Sequence, residues 1–118
     1  MYKNYKDLIV WKKALELTTI IYDLIKILPP EEKFALSDQM RRAAISIPSN
    51  IAEGAGRIYN KEFKKFLSNS KGSLFELETQ ILICIKTGYF NENDCSIAMS
   101  LIDEISRMLT SLMAYNNE

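Results

Sequence analysis

Gln39-Met40-Arg41-Arg42-Ala43-Ala44-Ile45-Ser46-Ile47-Pro48-Ser49-Asn50-Ile51-Ala52-Glu53-Gly54-Ala55-Gly56 is the stretch on which the fold of this chain turns. Ile45, Ile47, Ile51 and Ala52 mark it for burial, yet Ser46, Ser49, Asn50 and Glu53 lie among them. Pro48 has no N–H and crowds the carbonyl four residues back, so a helix running through it is expected to kink. The kink frees the Ala44 carbonyl, which then needs a hydroxyl or amide donor from nearby. Gly54 and Gly56 offer either a close packing surface or a helix stop.

Working outward, the flanks read as amphipathic helices. A first helix is expected from about Asp7 to Leu28. Lys12, Glu16, Thr19, Asp23 and Lys26 form its narrow polar stripe. Leu8, Trp11, Ala14, Leu15, Thr18, Ile21, Tyr22 and Ile25 face the other way. Ile9, Val10, Leu17, Ile20 and Leu24 widen the apolar arc beyond the roughly 100° that one core needs. The surplus predicts cover on a second side, from another copy of the chain. Pro29-Pro30 ends this helix.

The second helix starts between Glu31 and Ser37, with Glu31 and Glu32 in its first turn. It reaches about Gly56. Tyr59-Asn60 forms the next turn, and Asn60 is placed as the N-cap of a third helix, Lys61 to Thr87. Its core face is Phe63, Phe66, Leu67, Ser70, Leu74, Leu77, Ile81, Cys84 and Ile85, and Gly88 closes it. Asn93 or Asn91 caps a fourth helix that runs to about Tyr115. Its stripe is Ala98, Leu101, Ile102, Ile105, Met108, Leu109 and Leu112. Asn116-Asn117-Glu118 is expected to fray. No strand pattern or repeat interrupts the series. The fold class is therefore all-α: one domain, residues 1–118, an antiparallel up-down-up-down four-helix bundle with its second helix kinked at Pro48.

The chain has 118 residues, 47% of them hydrophobic and 25% charged, the composition of a folded soluble domain. No membrane span and no secretion signal is expected, and Cys84 and Cys95 read as reduced thiols, so the expected location is cytoplasmic. Net charge is zero, but residues 1–88 hold fourteen basic groups against ten acidic ones, whereas residues 89–118 hold one against five. Such polarity predicts a basic face and an acidic face.

There is no histidine. That removes the commonest general base, metal ligand and partner of a catalytic nucleophile. Two cysteines alone do not make a zinc site. Gly54-Ala55-Gly56-Arg57-Ile58-Tyr59 lacks the third glycine of a dinucleotide fingerprint. Neither enzyme activity, metal nor cofactor is expected.

Two polar sets remain. Arg41, Arg42, Ser49, Asn50, Glu53, Glu76, Glu78 and Gln80 read as a structural network, with salt bridges between helices that set register and fix a subunit contact. In this reading Glu76 and Gln80 share a face, as do Asn50 and Glu53. A solvent-reached pocket holding Glu53, Glu76 and Glu78 would instead favour a small-molecule or enzymatic bundle. The second set is basic. Lys61, Lys64, Lys71 and Lys86 fall within about 80° on the third helix, with Lys65 beside them. Phe75 and Leu82 sit among them. Lys12, Lys13 and Arg57 add charge from the first two helices. These residues are the candidate nucleic-acid contacts, led by phosphate or shape, since no base-reading motif is visible. A solvated lysine face is the alternative.

Arg41-Arg42-Ala43-Ala44-Ile45-Ser46-Ile47-Pro48-Ser49-Asn50-Ile51-Ala52-Glu53-Gly54 resembles the signature of a small four-helix-bundle family. That family is associated with intervening sequences of bacterial 23S ribosomal RNA and is related to the accessory variability protein of diversity-generating retroelements. The resemblance extends through Tyr5-Lys6-Asp7-Leu8-Ile9-Val10-Trp11, Lys61-Glu62-Phe63, Phe66-Leu67 and Gly72-Ser73-Leu74-Phe75-Glu76-Leu77-Glu78-Thr79-Gln80. It implies a homopentamer whose positive surface engages RNA and a reverse-transcriptase-type nucleoprotein partner. A protein–protein adaptor with no nucleic-acid role is the alternative function.

Overall fold

The computed structural model describes residues 4–115; the expected frayed end at Asn116-Asn117-Glu118 lies outside them. A short 3-10 turn at Tyr5–Asp7 leads into α1 (Ile9–Ile25), followed by α2 (Leu36–Ala55), α3 (Asn60–Lys86) and α4 (Ser96–Tyr115). No strand occurs among the described residues.

The direction of each helix follows from its cross-contacts. Met40, Ile47 and Gly54 of α2 meet Cys84, Ser70 and Phe63 of α3 in descending order, so these two helices run antiparallel. Thr18 meets Ala44 and Tyr22 lies under Arg41, which gives α1 and α2 opposite senses. Lys13 pairs with Glu104, and Leu8 and Tyr115 line one cleft, so α1 and α4 are antiparallel too. The molecule measures 44 × 24 × 19 Å.

The core stripe of α1 is Val10, Ala14, Leu17, Ile21, Leu24 and Ile25. This is rotated from the expected face: Leu8, Trp11 and Thr18 are half-buried at its edge, and Leu15 and Tyr22 are exposed. The polar stripe stands as expected, and Ile9, Leu15, Tyr22 and Ile27 are the surplus left uncovered beside it. On α3 and α4 the inward stripes match, with Phe66, Ile85, Met108 and Leu112 half-buried at the margins. Glu31 and Glu32 belong to a separate 3-10 turn, Pro30–Glu32, rather than to the start of α2.

α2 is a single helix with Pro48 buried inside it. The Ala44 carbonyl that Pro48 cannot serve lies 3.2 Å from the Thr18 hydroxyl of α1, which shares its one proton between that carbonyl and the Ala14 carbonyl of its own helix at 2.8 Å. One turn on, α3 comes close enough that a Cβ on Gly54 would lie 2.6 Å from Phe66 Cβ and 2.9 Å from Phe63 Cδ1. Tyr59, not Asn60, is the N-cap of α3, and its side chain makes no capping bond. At the other end Gly88 takes φ +87°, and Gly88 and Tyr89 N–H donate to Ile85 and Cys84 carbonyls. That is a Schellman closure, which favours glycine at this position. Asn91 accepts from Asp94 N–H at 2.7 Å and so caps the turn before α4 rather than α4 itself. The Tyr89 hydroxyl donates to Glu32 at 2.9 Å, tying the two loops at this end together.

Both cysteines are free and buried. Burial, then the Cys95 and Glu32 charges, push the Cys84 thiol from 9.0 up to about 11. Burial and Asp94 raise Cys95 as well.

Four outcomes are expected. Gly54→Ala should lose about 1–3 kcal/mol in urea denaturation through overpacking against Phe63 and Phe66. Gly72→Ala, with nothing within 4 Å of its new Cβ, should gain about 0.5–1 kcal/mol. Neither thiol should react with iodoacetamide at neutral pH until the protein unfolds. Raised folded-state thiol pKa values mean that the unfolded chain releases protons first. Stability should therefore fall as pH rises from 9.0 towards about 11.

Candidate functional site

The polar residues of α2 and α3 build a seam between the two helices. Ser46 and Ser73 hydroxyls lie 2.8 Å apart. Asn50 Nδ2 donates to both the carbonyl and the hydroxyl of Ser46 at 2.9 Å. Deeper in, the buried Ser70 hydroxyl donates to the Ile47 carbonyl at 2.9 Å. Small hydroxyl residues bring the two backbones near and satisfy their own polar atoms where they meet.

The arginines do not bridge helices as expected. Arg41 and Arg42 pair with Asp38 of their own helix, and Arg57 with Glu53, four residues away, at 2.8 Å. Their spacing of three or four residues puts each pair on one helix face, where an ion pair forms without crossing a gap. Lys13 of α1 does cross to a neighbouring helix, pairing with Glu104 of α4 at 3.3 Å. Ser49 and Glu76 are exposed, Glu78 is half-buried and Gln80 is buried. Glu76 and Gln80 thus part company, and Gln80 Oε1 has no hydrogen-bond partner among the described residues. Asn50 and Glu53 part too, since Asn50 turns into the seam while Glu53 faces Arg57.

The carboxylates Glu53, Glu76 and Glu78 do not converge. Glu76 borders a shallow groove of about 260 Å³ with Gln39, Arg42, Ser46 and Ser73, and neither other acid lines it. Among the described residues no group of three or more Cys, Asp or Glu is placed to hold a metal ion. A larger cleft, about 790 Å³, lies between the start of α1 and the end of α4. Leu8, Ile9, Met108 and Leu112 line it together with Asp7, Glu104 and Arg107.

The basic candidates divide by partner. Lys13 is held by Glu104, and Lys71 donates to Thr110 Oγ1 of α4 at 2.7 Å. Arg57 lies 4.9 Å over the Phe66 ring while paired to Glu53. Lys64 is half-buried. Lys12, Lys61, Lys65 and Lys86 are exposed and make no ion pair among the described residues.

Antiparallel packing sorts these charges along the long axis. Cutting each helix at its midpoint leaves residues 4–16, 47–72 and 106–115 in one half, with nine basic groups against four acidic ones, a net of +5. The other half, residues 17–46 and 73–105, has five against ten, a net of −5. Lys12, Arg57, Lys61, Lys64 and Lys65 gather in the basic half, while Lys86 lies in the acidic half.

The profile of the 23S rRNA-intervening sequence protein family matches residues 6–111. The chain belongs to that family. It is also similar to a crystal structure of a protein of unknown function from the S23 ribosomal protein family of Bacteroides thetaiotaomicron. The two share 28% identity and a TM-score of 0.82, over 89% of this chain and 98% of the other. No curated protein matches the sequence.

Two features of this chain escape linear reading. One is the axial charge segregation, which shows only when successive helices are laid head to tail. The other is the tip of the basic half, where Ile58 and Tyr59 are exposed between α2 and α3; in the linear sequence Tyr59 reads only as part of a turn.

The polar side chains packed against α2 yield a contrast. Thr18→Val, close in shape but without the hydroxyl that the Ala14 and Ala44 carbonyls share, should cost about 0.5–1.5 kcal/mol. Glu76→Ala, on an exposed carboxylate, should fall within about 0.5 kcal/mol of wild type by the same denaturation.

Proposed function

We propose that this protein is a non-catalytic bundle that self-associates, as a homopentamer, and engages structured RNA or a nucleoprotein partner through its basic half. The net of +5 in one half of a neutral molecule is the observation that carries the reading. A phosphate chain is attracted to that half and repelled by the other, so binding is oriented before the two surfaces touch. Lys12, Lys61 and Lys65 are free to release counterions on binding. The family's association with 23S rRNA intervening sequences supports the same ligand class.

Self-association rests on apolar surface. Leu15, Tyr22 and Ile45 are each about 40% exposed along α1 and α2, and Phe75, Leu82 and Ile83 about 45% exposed along α3. Two different patches on one chain suit a head-to-tail interface, which gives a ring when its rotation closes on itself. A standard interface buries roughly 800 Å² per partner. A 44 × 24 Å side can supply that, and a 24 × 19 Å end cannot. Side-by-side packing in a ring gathers the basic ends on one rim.

Light scattering should give five subunits; a stable monomer at micromolar concentration sinks the ring. On the same sample, RNA affinity should drop steeply between about 50 and about 200 mM salt. Lys61→Glu with Lys65→Glu should flatten that salt slope by about one unit for each phosphate no longer neutralised. A protein indifferent to RNA at low salt would instead be a protein–protein adaptor.

A further inference from the structure

The tip of the basic half carries apolar side chains that the bundle does not use. Ile58 is 84% exposed and Tyr59 67%. Among the described residues the Tyr59 hydroxyl makes no hydrogen bond, and its ring joins no aromatic or cation–π pair. The backbone beneath it is fixed nonetheless. The Tyr59 carbonyl accepts from Glu62 and Phe63 N–H at 3.1 Å, at the start of a 27-residue helix. Two residues earlier, Arg57 is held by Glu53 at 2.8 Å and by the Phe66 ring at 4.9 Å. An anchored ring thus stands in solvent, with Arg57, Lys61 and Lys65 close along the chain on either side.

We infer that this tip takes unpaired nucleotides, with a base stacked on Tyr59 and the flanking phosphates met by Lys61 and Lys65. The inference rests on the nucleic-acid reading of the basic half and names the class of RNA it prefers. A base in a duplex has both faces covered by its neighbours and offers nothing to a projecting ring. An unpaired base in a loop, bulge or single strand has a free face, and stacking on an aromatic ring tolerates any base identity. The absence of a base-reading motif is consistent with that tolerance. Ile58, beside the ring, adds an apolar edge for the same base or its neighbour. A duplex bound through phosphates alone leaves both residues uncovered.

The test uses the full chain at one salt concentration. It is titrated against a labelled oligouridine of about sixteen nucleotides and against the same strand annealed to oligoadenosine. The single strand should bind at least about fivefold tighter than the duplex. Tyr59→Ala should remove that preference and leave duplex affinity, the salt slope and the subunit number by light scattering unchanged. Tyr59→Phe should keep the preference, because the ring and not the hydroxyl does the stacking. Equal affinity for the two forms, or a Tyr59→Ala variant that still prefers the single strand, overturns this inference and leaves the basic half standing as a phosphate surface. A changed subunit number in Tyr59→Ala overturns it as well, by placing the ring in an interface between copies. Failure of the wild-type protein to bind either form removes the nucleic-acid reading and this inference together.

Discussion

Pro48 has no N–H to offer the Ala44 carbonyl, and the Thr18 hydroxyl of α1 reaches that carbonyl at 3.2 Å while sharing its one proton with the Ala14 carbonyl of its own helix at 2.8 Å. That shared bond and the Arg41 guanidinium over the Tyr22 ring mark where α1 lies against α2. On the opposite flank, Ser70 reaches the Ile47 carbonyl and Ser46 meets Ser73, which fixes α3. One turn later Gly54 has no side chain, and Phe63 and Phe66 fill the space a Cβ would need. α2 is therefore held from two sides by groups suited to its irregular centre. A regular amphipathic helix in its place would pack on apolar surfaces alone, and those slide more readily than paired polar atoms.

Much of this is legible in the sequence, because it depends on local chemistry. Pro48 predicts an orphaned carbonyl, Gly88 predicts a left-handed closure, and the apolar spacing of α3 and α4 predicts their inward stripes. What fails depends on where neighbours sit. Spacing alone centres the core face of α1 on Leu15 and Tyr22. Its apolar arc is wide enough to allow several centres, and only the positions of α2 and α4 choose Leu17 and Leu24 instead. The arginines are expected to reach across helices, but a carboxylate three or four residues away is the nearer partner. Glu76 and Gln80, four residues apart, sit at the edge of the α2 interface, where a small rotation separates exposed from buried.

The candidate surface is legible residue by residue and not as a shape. Lys12, Arg57, Lys61 and Lys65 are spread along the sequence, and their grouping is a product of antiparallel topology. The same topology carries Lys86, on the same helix face, to the far half of the molecule. Lys71, also on that face, is drawn to Thr110 of α4. A helical wheel projects away the axial coordinate, and here that coordinate separates the charges.

Opposite halves of +5 and −5, spread over a body 44 Å long, make each molecule an electric dipole. Dipoles lying side by side and pointing the same way repel, while a dipole facing a polyanion is drawn in. Added electrolyte weakens both effects. It would therefore loosen the grip on phosphate while easing the crowding of like poles in any parallel cluster, so ionic strength pulls the two behaviours of one molecule in opposite directions.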